Sequence, residues 1–101
     1  MTENEVLYLH LMEEAAEVQQ RASKLLRFGV DEREPGQLFN NAERLRGEIN
    51  DLLGVISILE ENGLKKPTDS ELAEAIAAKR VKIARFLKYS QVRGTVESSS
   101  G

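Results

Sequence analysis

The stretch LMEEAAEVQQRASK, residues 11–24, decides the fold, because it places three glutamates inside an otherwise helical apolar pattern. On a helix that turns about 100° per residue, Glu13, Glu14 and Glu17 share one sector of the surface. Apolar residues border this acidic sector on both sides, with Leu11 and Val18 on one side and Met12 on the other. An ordinary solvated face lacks such borders, so the stretch predicts carboxylates beside a helix–helix contact.

The composition of the 101-residue chain favours a single small all-α domain. Charged residues make up 31% and aromatic residues 5%, which suits helices better than strands. The chain has no cysteine, which excludes disulfides, thiolate metal sites and cysteine nucleophiles. Its net charge of −3 excludes a strongly basic nucleic-acid binder, and no nucleic-acid polymer is expected as a partner.

The sequence also predicts a cytoplasmic protein without a membrane partner. The N-terminal residues lack the charged and then apolar pattern of a secretion signal. Apolar runs stay well below the roughly 18 residues that a membrane-spanning helix needs.

Three main helices are predicted, over about 3–27, 38–62 and 68–90. Gly29 provides a left-handed cap for the first helix, and Gly63 ends the second. At the start of the third helix, Thr68 is followed three residues later by Glu71, which is the capping-box pattern.

The segments between and after these helices complete the predicted organisation. The polar segment 29–38 contains the turn signal Pro35-Gly36 and leaves room for a short helix. We expect one domain over residues 1–93 and a flexible C-terminal tail over residues 94–101. The broad apolar stripes of so short a chain favour an antiparallel helical bundle that oligomerisation completes.

The second helix repeats the unusual placement of acids. Its apolar stripe contains Leu45, Ile49, Leu52, Ile56 and Leu59. Glu48 and Asp51 lie on the same side, so packing of the first two helices brings four or five carboxylates together. Uncompensated, such a cluster costs several kcal/mol for each desolvated charge. Cations or protons must therefore compensate it.

A hard divalent cation meets this requirement, because Mg²⁺ prefers oxygen ligands. Glu14 with Glu17, and Glu48 with Asp51, are pairs spaced three residues apart and therefore one turn apart. A di-iron site needs two Glu-x-x-His motifs, and the chain has a single histidine, so di-iron is disfavoured. The alternative is a solvated acidic helix, in which Arg21 pairs with Glu17 four residues before it.

These motifs resemble a known family. EExxE at residues 13–17 and ExxD at residues 48–51 are similar to the all-α nucleoside triphosphate pyrophosphohydrolases of the MazG type. The segments 13–29 and 78–94 also resemble the first and closing helices of small bacterial and phage members, and the likeness spans residues 8–96. Asn50 is a departure, because many members have glycine before the aspartate.

The resemblance implies Mg²⁺-dependent hydrolysis of a (deoxy)nucleoside triphosphate to its monophosphate and pyrophosphate, as in nucleotide-pool house-cleaning. Carried over by position, Glu14, Glu17, Glu48 and Asp51 hold Mg²⁺, with Mn²⁺ as a substitute. Glu13 completes the cluster, as a ligand or as a base. The resemblance also implies a homodimer or homotetramer, with the active site near a subunit interface.

Five further residues are candidates for binding the nucleotide. Lys24 lies two turns beyond Glu17 in the acidic sector and is placed to bind phosphate. Lys79 and Lys82 of the third helix either contact phosphate or extend along the apolar stripe, and Tyr89 lies beside Lys82. Asn41 either contacts the sugar or base or serves the start of the second helix.

Two other functions stay open on the sequence. The chain could hydrolyse a different phosphoanhydride, such as a deoxynucleoside diphosphate, dUTP or an alarmone. It could also be a non-catalytic helical interaction module that uses the same apolar stripes. No sequence pattern in the candidate pocket indicates which base or sugar is preferred.

Overall fold

The structure, a computed structural model, describes residues 1–97, and this part of the chain forms three α-helices and no strand. Helix α1 spans Glu3–Phe28, α2 spans Asn41–Glu61 and α3 spans Asp69–Arg93. The all-α prediction and the number of helices are therefore confirmed. The chain separates into two compact units, residues 1–65 and residues from 66 onward, and each is described by itself.

Each helix begins with a capping box, in which a side-chain oxygen accepts from a backbone N–H and a glutamate accepts in return. The three boxes are Thr2 with Glu5, Asn40 with Glu43, and Thr68 with Glu71. The last confirms the predicted start of α3. The box at Asn40 corrects the start predicted for the second helix, which is Asn41 rather than residue 38.

The segment between α1 and α2 consists of turns, so the short helix for which residues 29–38 left room is absent. Gly29 has a φ of 99°, a conformation that favours glycine, but its ψ of 156° lies outside the predicted left-handed helical region. Backbone N–H groups of α2 hold the segment: Asn41 donates to the Glu32 carbonyl at 3.1 Å, and Ala42 donates to the Val30 carbonyl at 3.2 Å.

In the first unit, α1 and α2 pack against each other as an antiparallel hairpin. At one end, Asn4 Nδ2 donates to the carbonyl of Asn62 at 3.4 Å. At the other end, Asn41 Nδ2 donates to the carbonyl of Gly29 at 2.8 Å. Leu59, with 1% of its surface exposed, is the most buried apolar residue of the hairpin. The other members of the predicted α2 stripe are half-buried: Leu45, Ile49, Leu52 and Ile56.

In the second unit, α3 is a 25-residue helix that ends at Gly94, whose φ of 80° and ψ of 12° are left-handed helical. Its predicted apolar stripe is exposed, from 45% at Leu87 to 73% at Phe86, and consists of Leu72, Ile76, Ile83, Phe86 and Leu87. Completion of the bundle by further copies stays a prediction, as does the single domain over residues 1–93. Of the predicted tail, residues 98–101 lie outside the described residues. Within residues 1–97, none of the helices has the length and apolarity that crossing a membrane requires.

Candidate metal centre

Three carboxylates from two helices meet at the middle of the α1–α2 hairpin. Glu14 and Glu17 lie one turn apart on α1, and Glu48 faces them from α2. One carboxylate oxygen of each residue lies within 4.8 Å of the other two. These three residues are called the carboxylate group below. Helix periodicity aligns the α1 pair, and the antiparallel packing of the apolar stripes brings Glu48 to it.

Two oxygens of the carboxylate group are buried without a hydrogen bond. Glu14 and Glu48 are half-buried, whereas Glu17 is exposed. The Oε2 atoms of Glu14 and Glu48 are inaccessible to solvent and accept no hydrogen bond from residues 1–97. A buried polar atom without a hydrogen bond is unfavourable, and more so when it is charged. A proton or a cation at these oxygens would remove that cost.

The electrostatics of the carboxylate group favour protonation. Burial, followed by the negative charges of Glu17 and Asp51, raises the pKa of Glu14 above its ordinary value. A hydrogen bond to Glu17 that favours the protonated form, followed by burial and by the charges of Glu17, Asp51 and Glu14, raises the pKa of Glu48. Without a cation, Glu14 and Glu48 therefore retain their protons to a higher pH than isolated glutamates do.

The other two predicted acids lie around the carboxylate group rather than within it. Asp51 is exposed on α2, and its charge contributes to the raised pKa of both Glu14 and Glu48. Glu13 is exposed, and its Oε2 lies 3.8 Å from Nδ1 of His10. The group therefore contains three of the four predicted metal ligands, with the fourth close by.

Lys24 and Asn41 line one cavity of about 240 Å³ at the end of the hairpin that carries the α1–α2 loop. Asn41 is 3% exposed, and its Nδ2 donates to the Gly29 carbonyl at 2.8 Å and to Glu32 Oε1 at 3.1 Å. Asn41 thus joins the start of α2 to the loop. A contact between Asn41 and a nucleotide stays a prediction.

Three candidates for binding the nucleotide lie on α3, in the second unit. Lys79 and Lys82 border one surface depression with Ile83 and Phe86. Tyr89 borders another with Phe86. All three candidates are exposed. Their predicted phosphate and nucleotide contacts stay predictions.

Two arginines, Arg21 and Arg44, were not predicted as functional residues. Arg21 pairs with Glu17 in the alternative of a solvated acidic helix, but it forms no such pair within residues 1–97, and its Nη1 is buried without a hydrogen bond. Arg44 donates from Nη1 to Glu34 Oε2 at 2.9 Å. Their positions carry a signal: Arg21 is four residues after Glu17, and Arg44 is four residues before Glu48. Because α1 and α2 run in opposite directions, four residues forward on α1 and four residues back on α2 reach the same height along the hairpin axis.

Comparison with known proteins gives no relative, because no protein-family model, curated protein or solved structure matches the chain. The resemblance to MazG-type enzymes stays an expectation from the sequence.

Proposed function

We propose that the protein is a Mg²⁺-dependent nucleoside triphosphate pyrophosphohydrolase, which cleaves a (deoxy)nucleoside triphosphate to its monophosphate and pyrophosphate. The observation that supports this proposal is the carboxylate group itself. Three carboxylates converge within 4.8 Å, and two of their oxygens are buried without a hydrogen bond. A solvated acidic helix would instead turn these oxygens toward water.

The donors of the carboxylate group suit Mg²⁺ or Mn²⁺. All of them are hard carboxylate oxygens, which these ions prefer over nitrogen or sulfur. The single histidine, His10, lies beside Glu13 instead. Mg²⁺ usually takes one or two protein carboxylates and completes its shell with water and substrate phosphates. Glu14, Glu17 and Glu48, with Asp51 nearby, therefore suffice for an ion shared with a nucleotide.

The side chains of the hairpin would divide the work of hydrolysis. Glu14 and Glu48 would hold the metal with their buried oxygens, and Glu17 and Asp51 would complete the site from its exposed side. A bound Mg²⁺ supplies neutralisation of phosphate charge and lowers the pKa of a bound water. Lys24, two turns along α1, would bind phosphate. Phosphoryl transfer depends mainly on positioning and charge, so the chain needs no covalent nucleophile. The role of Glu13, as ligand or base, stays a prediction.

The assembly and the cellular setting belong to the same proposal. The exposed apolar side chains of α3 support association into a homodimer or homotetramer. Lys79, Lys82 and Tyr89 would then contribute to nucleotide binding from α3. The substrate pool of such an enzyme is cytoplasmic, and its role would be to cleanse or adjust that pool.

One observation favours a second candidate function, a non-catalytic helical interaction module. Helix α3 exposes large apolar side chains, including Phe86 at 73% and Val92 at 79%. Such a surface suits a partner protein as well as it suits another copy of the chain. A module of this kind would release no pyrophosphate from any nucleotide.

Both candidates are tested by a pyrophosphate-release screen over canonical and damaged nucleotides, with Mg²⁺ and with Mn²⁺. Release of pyrophosphate rather than orthophosphate supports the pyrophosphohydrolase over hydrolysis of another phosphoanhydride. Glu48→Gln should abolish turnover while circular dichroism shows the helices intact. Glu61→Gln, an exposed acid on the same helix, is the matched control and should keep full activity. If the wild type releases no pyrophosphate from any nucleotide of the panel, the proposed enzymatic function is refuted.

A further inference from the structure

Three cations lie near one carboxylate of the α1–α2 loop, which hydrogen-bonds to one of them and lines a cavity with another. Arg21 and Lys24 come from α1, Arg44 comes from α2, and the carboxylate is Glu34. A hydrogen bond from Arg44, the charge of Lys24, and the charges of Arg44 and Arg21 lower the pKa of Glu34. All three cations therefore lie close enough to Glu34 to stabilise its negative charge. We call Arg21, Lys24 and Arg44 the basic cluster.

The basic cluster lies next to the carboxylate group along the hairpin. Glu17 and Glu48 face each other across the hairpin. Four residues onward on α1 comes Arg21, and four residues back on α2 comes Arg44, a step of about 6 Å along each helix. Lys24 lies one further turn along. The carboxylate group and the basic cluster are thus neighbours along the hairpin axis.

Within residues 1–97, the protein's own carboxylates satisfy the basic cluster only in part. Glu34 accepts from Arg44 at 2.9 Å. Glu32, the other loop carboxylate at this end of the hairpin, accepts from Asn41 at 3.1 Å. Nη1 of Arg21 is buried and finds no acceptor in the described part of the chain. An unpaired buried guanidinium N–H is costly, so this donor calls for an oxygen from outside the chain.

We infer that the basic cluster is an anion site for a phosphate group, with Arg21 as a direct donor. The guanidinium is a planar fork whose geometry matches phosphate oxygens and gives strong charge-assisted hydrogen bonds. Its position one level from the carboxylate group suits a phosphate chain that spans both. Only the identification of this phosphate as part of a nucleoside triphosphate rests on the proposed function. The anion site itself follows from the cations and the unpartnered donor.

The test is binding of inorganic pyrophosphate by calorimetry, in Mg²⁺ and again in EDTA, to the full chain and its variants. Arg21→Gln removes the charge and the fork, and it should weaken pyrophosphate binding about tenfold, the loss of one charge-assisted hydrogen bond. Arg46→Gln is the matched control, because it removes an exposed arginine of α2 outside the basic cluster. Arg21→Lys keeps the charge and should recover part of the affinity.

Thermal melts separate binding from a structural role of Arg21. Because Nη1 has no hydrogen-bond partner within residues 1–97, Arg21→Gln should melt no lower than the wild type without ligand. Pyrophosphate should raise the melting temperature of the wild type and of Arg46→Gln, and should raise that of Arg21→Gln less.

The outcomes distinguish this inference from the proposed function. If Arg21→Gln and Arg46→Gln bind pyrophosphate equally well, or if the wild type binds none in either buffer, the anion site is refuted. If pyrophosphate binding depends on Arg21 but no nucleotide is hydrolysed, the anion site stands and the proposed function fails. If nucleotide is hydrolysed and Arg21→Gln keeps the wild-type KM and pyrophosphate affinity, the proposed function stands and the anion site fails.

Discussion

Replacing Asn41 with alanine should destabilise the α1–α2 hairpin by about 2.5–4 kcal/mol. The side chain is 3% exposed, and its Nδ2 donates to the Gly29 carbonyl at 2.8 Å and to Glu32 Oε1 at 3.1 Å. A hydrogen bond to a neutral acceptor contributes about 1 kcal/mol, and one to a charged acceptor about 1.5–3 kcal/mol. Small domains have only about 5–15 kcal/mol of total stability, so the change is large enough to measure precisely.

Urea denaturation followed by far-UV circular dichroism measures this loss as a shift of the midpoint at constant slope. The matched control is Asn50→Ala, an exposed asparagine on the same helix, which should change stability by less than about 0.5 kcal/mol. Equal stabilities of the two variants would refute the structural role of Asn41. The asparagine would then be retained for another purpose, such as contact with a nucleotide.

Three further predictions concern the core, the pH dependence and α3. Leu59→Ala should cost about 2–4 kcal/mol, and the exposed Leu53→Ala much less, in calorimetric melts; similar losses would contradict the burial of Leu59. Because the pKa values of Glu14 and Glu48 are raised, their contribution to metal-free stability is greatest below the unfolded value of 4.5 and is lost as pH rises through the folded values. Melts across this range should show the loss, Mg²⁺ should reverse it, and a Glu14→Gln, Glu48→Gln double variant should lack it. Thr68→Ala should cost about 1 kcal/mol of α3 stability, seen as reduced helicity; unchanged helicity would contradict the capping box.

Local sequence signals predicted the helices well where the caps carried a recognised pattern. Thr68 and Glu71 marked the start of α3 correctly because both halves of a capping box are local. Asn40 and Glu43 form the same kind of box, but the apolar Leu38 and Phe39 before it favoured an earlier start for α2. Those two side chains lie in the loop before α2 and are exposed.

The candidate site was predicted in outline, because helical phase brought Glu14, Glu17 and Glu48 to one side of their helices. The finer arrangement depends on the rotation and register of the two helices. Glu13 and Glu14 are adjacent in sequence, but Glu13 lies beside His10 and only Glu14 belongs to the carboxylate group.

The register of α1 against α2 also explains why the basic cluster was not predicted from the sequence. Arg21 reads as the partner of Glu17 on an isolated helix, since a spacing of four residues favours such a pair. Only the antiparallel packing places Arg21 and Arg44 at one level and leaves Nη1 of Arg21 without an acceptor. The relative position of these two arginines is therefore set by packing between segments that are distant in the sequence.

The most direct test of the carboxylate group as a cation site is a Mn²⁺ titration followed by electron paramagnetic resonance, with Mg²⁺ as competitor. The wild type and the Glu61→Gln control should bind Mn²⁺ with equal affinity, and Mg²⁺ should displace it. Glu48→Gln, which alters one of the two carboxylates that carry a buried unpartnered oxygen, should bind at least about tenfold more weakly. Equal Mn²⁺ affinity of Glu48→Gln and the wild type would contradict the assignment of this group as the metal centre.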